Sequence, residues 1–281
     1  MYCDSYVYLR MNNDADSTDT VGAVERAFSV IRALRELNGA GVTELSNKLG
    51  MSKSGIHKQL STLVSEGYVT NRDGVYRLSF KFIADSEYVK NASTFYMVGS
   101  SETKKLARES QDCAYLTAIE AEQAYCIFMT KGENAVATDV AVGNQISFHS
   151  SAAGKAILSQ LPPTQQERLF EQGLPQQTEQ TVTTVSELRT ELETIQAEGI
   201  AYEDEENVRG IRSVSAPILS PNETVLGAVS VSGPVALLTD DRFETELPDR
   251  VRKTKNFIEV KFSLESRNPI QDGSHVPKDF Y

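Results

Sequence analysis

Apolar residues recur at Val21, Val24, Phe28, Ile31, Leu34 and Leu37, the three-and-four spacing of one helical face, and Asn38-Gly39 closes the run. Thr43 then serves as N-cap of a second, short helix, "ELSNKLG", which stops at Gly50. Ser52 caps a third helix, whose Ile56, Leu60, Leu63 and Val64 face inward and whose end is marked by Gly67. The stretch "YVTNRDGVYRL" adds two β-rich runs around Asp73-Gly74, a strong hairpin signal. Three helices followed by a hairpin predict a winged helix-turn-helix over residues 21–80.

Apolar positions at Phe82, Ile83, Tyr88, Phe95, Tyr96 and Met97 predict a linker helix over 81–98, and Lys104 to Glu109 continue as a helix inside a second domain, 99–264. There "DCAYLTAIEAEQAYCIFMTK" reads as two strands joined at Glu120–Glu122, and "NAVATDVAVGNQISF" as another. Helices are expected at "SSAAGKAILSQL", at "PPTQQERLFEQ" and from Val185 to Glu198, where Gly199 ends the last. "RSVSAPIL" and "VLGAVSVSGP" are β-branched runs separated by the turn "SPNET", and a closing helix runs from Asp240 to Ser263. Hairpin-like strand pairs interleaved with helices predict an α+β domain on a mainly antiparallel sheet. Residues 1–20 read as a flexible arm, or as a mis-assigned start with Met11 the true one, and 265–281 as a flexible tail.

Composition changes this picture in one respect. The chain has 281 residues, 40% hydrophobic, enough for two cores, yet its net charge is −11. That charge is unevenly placed: residues 21–85 carry +3, residues 86–281 carry −11 and residues 1–20 carry −3. A basic module joined to an acidic one points to a polyanion at one end, while the acidic remainder repels non-specific nucleic acid and fits a solvated surface in a salty cytoplasm. No apolar run is long enough to span a membrane and the N-terminus lacks signal-peptide features, so cytoplasmic residence is expected. Cys3, Cys113 and Cys126 are far apart and the histidines stand at 57, 149 and 275, so neither a disulfide framework, a metal site nor a cofactor is expected.

In a helix-turn-helix the N-terminal residues of the second helix meet base edges. Here they are Ser52, Lys53, Ser54, His57 and Lys58, with Ser54, His57 and Lys58 on one face opposite Ile56, Leu60 and Leu63. Hydroxyls and lysines can bond bases or phosphates, and Arg72 and Arg77 flank the hairpin tip, where a wing meets the backbone or the minor groove. A charge of only +3 neutralises few phosphates per copy, a shortfall usually met by dimerising on two half-sites.

The segments "AVERAFSVIRAL", "GVTELSNKLGMSKSGIHKQLSTLVSEGYV" and "YRLSFKF" resemble the N-terminal domain of IclR-type transcriptional regulators. "VGNQISFHSSAAGKAILSQL", "GIAYEDEENVRGIRSVSAPIL" and "GAVSVSGP" resemble that family's effector-binding domain, so the likeness spans roughly Val21 to Phe262. The resemblance implies a dimer or tetramer on a palindromic double-stranded DNA operator, with a GAF-like C-terminal domain that holds a small organic ligand, often a carboxylate or aromatic acid. Carried over motif by motif, it implies a pocket lined by Ala152 and Ala153, by Glu203, Ile211 and Ser213, and by Ser230 and Ser232. Glu203 and Ser213 depart from the Asp and Cys of better-known acid-binding members. It also implies that a ligand shifts the spacing of two winged helices through the linker around Phe82 to Met97.

Several of these features have blander readings. Ser230 and Ser232 share one side of a strand, which alternation alone leaves as either a pocket wall or the solvent side of an edge strand; the resemblance favours the pocket. Glu203 to Glu206 read mostly as a solvated turn, and any carboxylate turned inward needs a partner, of which Arg212 is nearest in sequence. His149 is expected to close a loop and Lys155 to bond carbonyls or carboxylates in the helix packing, because no oriented Ser–His–acid set accompanies them. The chain is therefore not expected to be an enzyme.

Overall fold

The computed structural model describes residues 20–133, 135–136 and 140–267, which form two compact units with the boundary between Val89 and Lys90. The expected N-terminal arm and most of the expected tail lie outside the described residues.

The first unit contains α1 (Gly22–Glu36), α2 (Val42–Leu49), α3 (Lys53–Ser65), the hairpin β1 (Val69–Arg72) and β2 (Val75–Leu78), and most of α4 (Lys81–Ala92). Val30 and Leu34 of α1, Leu45 of α2, and Ile56 and Leu60 of α3 converge with Val69 and Tyr76 in one buried cluster. Gly50 adopts φ +63 between α2 and α3, and the Ser46 hydroxyl donates to Met51 O at 2.6 Å across that turn. Ser52 caps α3 by accepting from Gly55 N at 3.1 Å. At the hairpin tip Asp73 and Gly74 both have positive φ, the geometry of a two-residue turn that matches strand twist, and Asn71 Oδ1 accepts from Gly74 N. The cap of α2 differs from expectation: Gly41 occupies that position and Thr43 lies inside the helix.

The single helix expected over 81–98 is two helices, α4 and α5 (Thr94–Ser110). Ser93 takes an extended conformation and its hydroxyl accepts from Tyr96 N at 3.1 Å, starting a new helix rather than continuing the old one.

The second unit is built on a six-stranded antiparallel sheet of order β5-β4-β3-β8-β7-β6, from β3 (Cys113–Glu120), β4 (Gln123–Lys131), β5 (Gln145–Ile146), β6 (Ala201–Asp204), β7 (Ile211–Leu219) and β8 (Val225–Pro234). One face carries Ala114, Leu116, Val214, Ala216, Val229 and Val231 against α5 and α9 (Leu247–Arg267). The other carries Ala124, Ala201 and Ala228 against α6 (Ala152–Leu158), α7 (Pro163–Glu171) and α8 (Val185–Glu198). A Cβ on Gly154 would stand 1.9 Å from Ser147 O, so α6 keeps its place over the sheet only with glycine there.

Three further expectations are corrected. Among the described residues the strand expected in "NAVATDVAVGNQISF" shrinks to Gln145–Ile146, which pair only with Tyr125 and Ala124. The closing helix starts at Asp240 as expected, but passes through a π-helical turn, Arg242–Glu246, and runs on to Arg267 rather than ending at Ser263. The acidic run after Gly199 opens with a strand, β6, rather than a turn. No described helix is long and apolar enough to cross a membrane.

Ile56 is wholly buried where α1, α2 and α3 meet. Ile56→Ala should destabilise the first unit by about 2–5 kcal/mol. Amide exchange in α1–α3 should accelerate while that of β3, β7 and β8 stays unchanged; unaltered exchange in α1–α3 would contradict this core assignment.

Candidate functional site

In the first unit, Ser52, Lys53, Ser54, His57 and Lys58 are all exposed on the side of α3 opposite Ile56 and Leu60. Their local bonds are weak: Ser52 Oγ lies 3.2 Å from Ser54 Oγ, and His57 Nδ1 lies 3.3 Å from Ser61 Oγ. Arg72 and Arg77 are exposed on the wing. Lys53, Lys58, Arg72 and Arg77 form no ion pair with another described residue, so four cations stand available to an external anion.

In the second unit the strand register assembles a polar row on the face beneath α6. Glu203 pairs with Ser213, Ser213 with Ser232, Ser232 with Cys113 and Cys113 with Lys131. A second row runs Ala201, Ser215, Ser230, Tyr115 and Met129. Alternation makes these neighbours share one face of the sheet. Ser213 Oγ donates to Glu203 Oε2 at 2.6 Å and also lies against Ser232 Oγ, while Ser230 Oγ donates to Ser215 Oγ at 3.0 Å. Glu203 is only 2% exposed, and its Oε1 accepts from Asn207 N at 3.2 Å. Ile211 is half-buried at the end of β7, and Ala152 and Ala153 are buried at the start of α6, which packs on β6, β7 and β8.

The residues around this row complete a buried network. Ser150 Oγ lies 3.0 Å from Asn207 Oδ1 and 2.8 Å from Ser147 Oγ, which in turn contacts His149 Nδ1. His149 Nε2 donates to Pro175 O at 2.9 Å, so Nδ1 is the acceptor for Ser147, and burial holds its pKa below the ordinary value and the ring neutral. Lys155, fully buried, bonds Glu191 and Glu206, the latter at 2.7 Å. His149 thus closes a loop and Lys155 ties helix packing together. Arg212 is not the partner of Glu203. Register sends it to the opposite face, where it bonds Asp204 and Asp240 at 2.7 Å each.

Burial pushes the Glu203 carboxyl up to about 7, against the lowering effect of the Ser213 and Asn207 hydrogen bonds. Burial raises Glu206 too, and drives the Cys126 thiol up to about 12. Neither Cys113 nor Cys126 is a reactive thiolate, since burial raises both. Among the described residues no cluster of His, Cys, Asp and Glu has the grouping of a metal site.

Sequence reasoning missed Ser215, Asn207, Ser147 and Ser150. Ser215 was signalled by its period-two spacing from Ser213, whereas Asn207 and the two serines reach the row only through a turn and a loop that carry no periodicity.

Glu203 yields a stability prediction. Between its ordinary value of 4.5 and about 7, the folded chain holds a proton that the unfolded chain has released. Its contribution is therefore fully present below about 4.5 and is lost as pH rises through about 7. Denaturation from about pH 5 to about pH 8 should show Glu203→Gln gaining stability relative to the parent as pH rises. A difference constant over that range would mean Glu203 does not titrate there.

Comparison with known proteins places these two arrangements. Residues 23–73 match the IclR helix-turn-helix domain, and residues 93–260 match the bacterial transcriptional regulator IclR C-terminal domain. The Probable HTH-type transcriptional regulator ArcR of Halobacterium salinarum is 33% identical over 246 residues, covering 86% of this chain and 94% of its own. The crystal structure of the Thermotoga maritima IclR superimposes with a TM-score of 0.73 at 24% identity, covering 86% of this chain and 99% of that one. An IclR homolog from Microbacterium hydrocarbonoxydans, complexed with 4-hydroxybenzoate, superimposes with a TM-score of 0.75 at 18% identity, covering 86% and 99%. These families and relatives are transcriptional regulators and not enzymes. With both family domains matched in order along one fold, the chain belongs to the IclR family of transcriptional regulators, with a helix-turn-helix region followed by an effector-binding domain.

Proposed function

We propose that this regulator binds a palindromic DNA operator as a dimer or tetramer through residues 21–80, and that a small metabolite, an organic acid or sugar-derived acid, binds in residues 99–264 and alters that binding. The observation that carries the reading is the α3 face: Ser52, Lys53, Ser54, His57 and Lys58 stand exposed, and its lysines are free of ion pairs among the described residues. In this reading α3 enters the major groove, and Arg72 and Arg77 on the wing contact backbone or minor groove. Self-association has its support at the start of α1, where Val24 and Phe28, with Val21 at the helix cap, leave an apolar stripe exposed.

The metabolite site is assigned to Ala152, Ala153, Glu203, Ile211, Ser213, Ser230 and Ser232. Support comes from the buried polar rows beneath α6, which sit in a structure whose fold is shared with a homolog complexed with 4-hydroxybenzoate. A ligand alters operator binding only by favouring one arrangement of the chain over another, so its affinity must differ between the DNA-competent and DNA-incompetent states. A protein acting on chromosomal DNA works in the cytoplasm.

Genomic fragments enriched on the full chain at several salt concentrations provide the test. The reading expects a short palindromic site, with Lys58→Ala weakening binding on all fragments and lowering the salt slope by about one. His57→Ala, or Ser54→Ala, should relax base preference at single positions, by about 1–3 kcal/mol each. Absence of enrichment by the parent chain at moderate salt would refute the operator assignment.

A further inference from the structure

The polar row beneath α6 has an electrical peculiarity: a carboxyl group is buried in it with the Ser213 hydroxyl and the Asn207 N–H for partners and no cation bonded to it, Lys155 acting on it only through its field. Lys155 is held by Glu191 and Glu206, Arg212 lies on the opposite face with Asp204 and Asp240, and His149 is neutral. Lys131 ends the same row, but it is exposed and separated from Ser232 by the strand that carries Cys113. The Glu206 carboxylate is a like charge that opposes ionisation of Glu203.

Glu203, Ser213 and Ser232 form a continuous chain of oxygen atoms across three strands. Such a chain can be polarised in either direction. With Glu203 ionised, Ser213 donates to Glu203 and Ser232 donates to Ser213, so the outer end offers lone pairs. With Glu203 protonated, the carboxyl donates to Ser213, Ser213 donates to Ser232, and the Ser232 hydrogen, whose one other acceptor is the Arg212 carbonyl oxygen at a long 3.4 Å, can turn outward. An anionic acceptor meets repulsion from the first arrangement and a donor in the second.

We infer that the Glu203–Ser213–Ser232 relay makes effector binding proton-linked, so that a small carboxylate enters the site together with one proton taken from solvent. This inference rests on the metabolite site proposed above. The proton ends on Glu203, no covalent bond other than its O–H is formed, and the ligand remains an anion. The buried carboxyl then selects the acidic side of neutrality as the condition under which the regulator responds.

The test measures binding of short-chain and aromatic carboxylates, 4-hydroxybenzoate among them, to the full chain by calorimetry, in buffers of different ionisation enthalpy and from about pH 6 to about pH 8. The corresponding primary amides serve as neutral probes. Carboxylate affinity should fall about tenfold per pH unit above the Glu203 midpoint, with one proton taken up per ligand, while amide affinity stays flat. Glu203→Gln, whose amide donates permanently to Ser213, should bind carboxylates at high pH as the parent does at low pH and show no slope. Ser213→Ala, which keeps the carboxyl and interrupts the relay, should also lose the slope.

The outcomes separate this inference from the assignment beneath it. Carboxylate binding that is weakened by Ser232→Ala yet independent of pH overturns the proton linkage and leaves the site in place. Carboxylate binding indifferent to both Ser232→Ala and Glu203→Gln overturns the site itself. No carboxylate binding at any pH overturns the ligand class, whatever the operator experiment returns.

Discussion

The antiparallel register of β6, β7 and β8 is the constraint on which the C-terminal unit depends. Because side chains alternate, pairing Glu203 with Ser213 and Ser213 with Ser232 puts three polar groups in one row and leaves Val214 and Val231 on the reverse. The reverse face closes under α5 and α9 as an apolar core. A slip of one residue in β7 would exchange the two sets, burying Arg212 beneath α6 and turning Ser213 and Ser215 into the valine core. Both errors would leave polar groups without partners in a dry interior, so one register is strongly selected.

The same row explains why polar residues can be gathered under a helix. Every hydroxyl on it has a neighbour to bond, and the flanking turn is held by separate means: Thr178 and Thr181 donate to the carbonyls of Glu205 and Glu206, and Lys155 binds the Glu206 carboxylate. The fully buried lysine is tolerable because two carboxylates surround it. The N-terminal unit follows an opposite logic. Its core is purely apolar and its charges all stand outside, where the +3 of residues 21–85 is concentrated on one helix and a wing instead of being cancelled in pairs.

How much of this was legible in the sequence followed from how local each signal is. Ser52 as the cap of α3, the Asp73-Gly74 turn and the full extent of α8, Val185–Glu198, are each specified within a few residues, and they were read from the chain. Ser230 and Ser232 declared their common face by alternation, but only pairing with β7 and β3 on either side put that face in the interior. β6 was hidden because four acidic residues in succession, Glu203 to Glu206, look solvated, and only the partner strand decides that the first turns inward. The break at Ser93 competes with an otherwise helical pattern through a single hydroxyl. The ties from Asn207 and Ser150, and from Lys155 to Glu191, join residues far apart in sequence and leave no trace in local spacing.

Under the function proposed above, the serine row of β6–β8 and the exposed face of α3 belong to one switch. The most direct measurement titrates the enriched operator fragment with the full chain, with and without the low-molecular-weight metabolite fraction of its source cells, beside Ser232→Ala. The fraction should shift operator affinity of the parent by roughly 5- to 150-fold, the usual range of allosteric coupling, and Ser232→Ala should bind the operator equally well but respond far less. Tight operator binding by the parent that no metabolite fraction alters would contradict that switch.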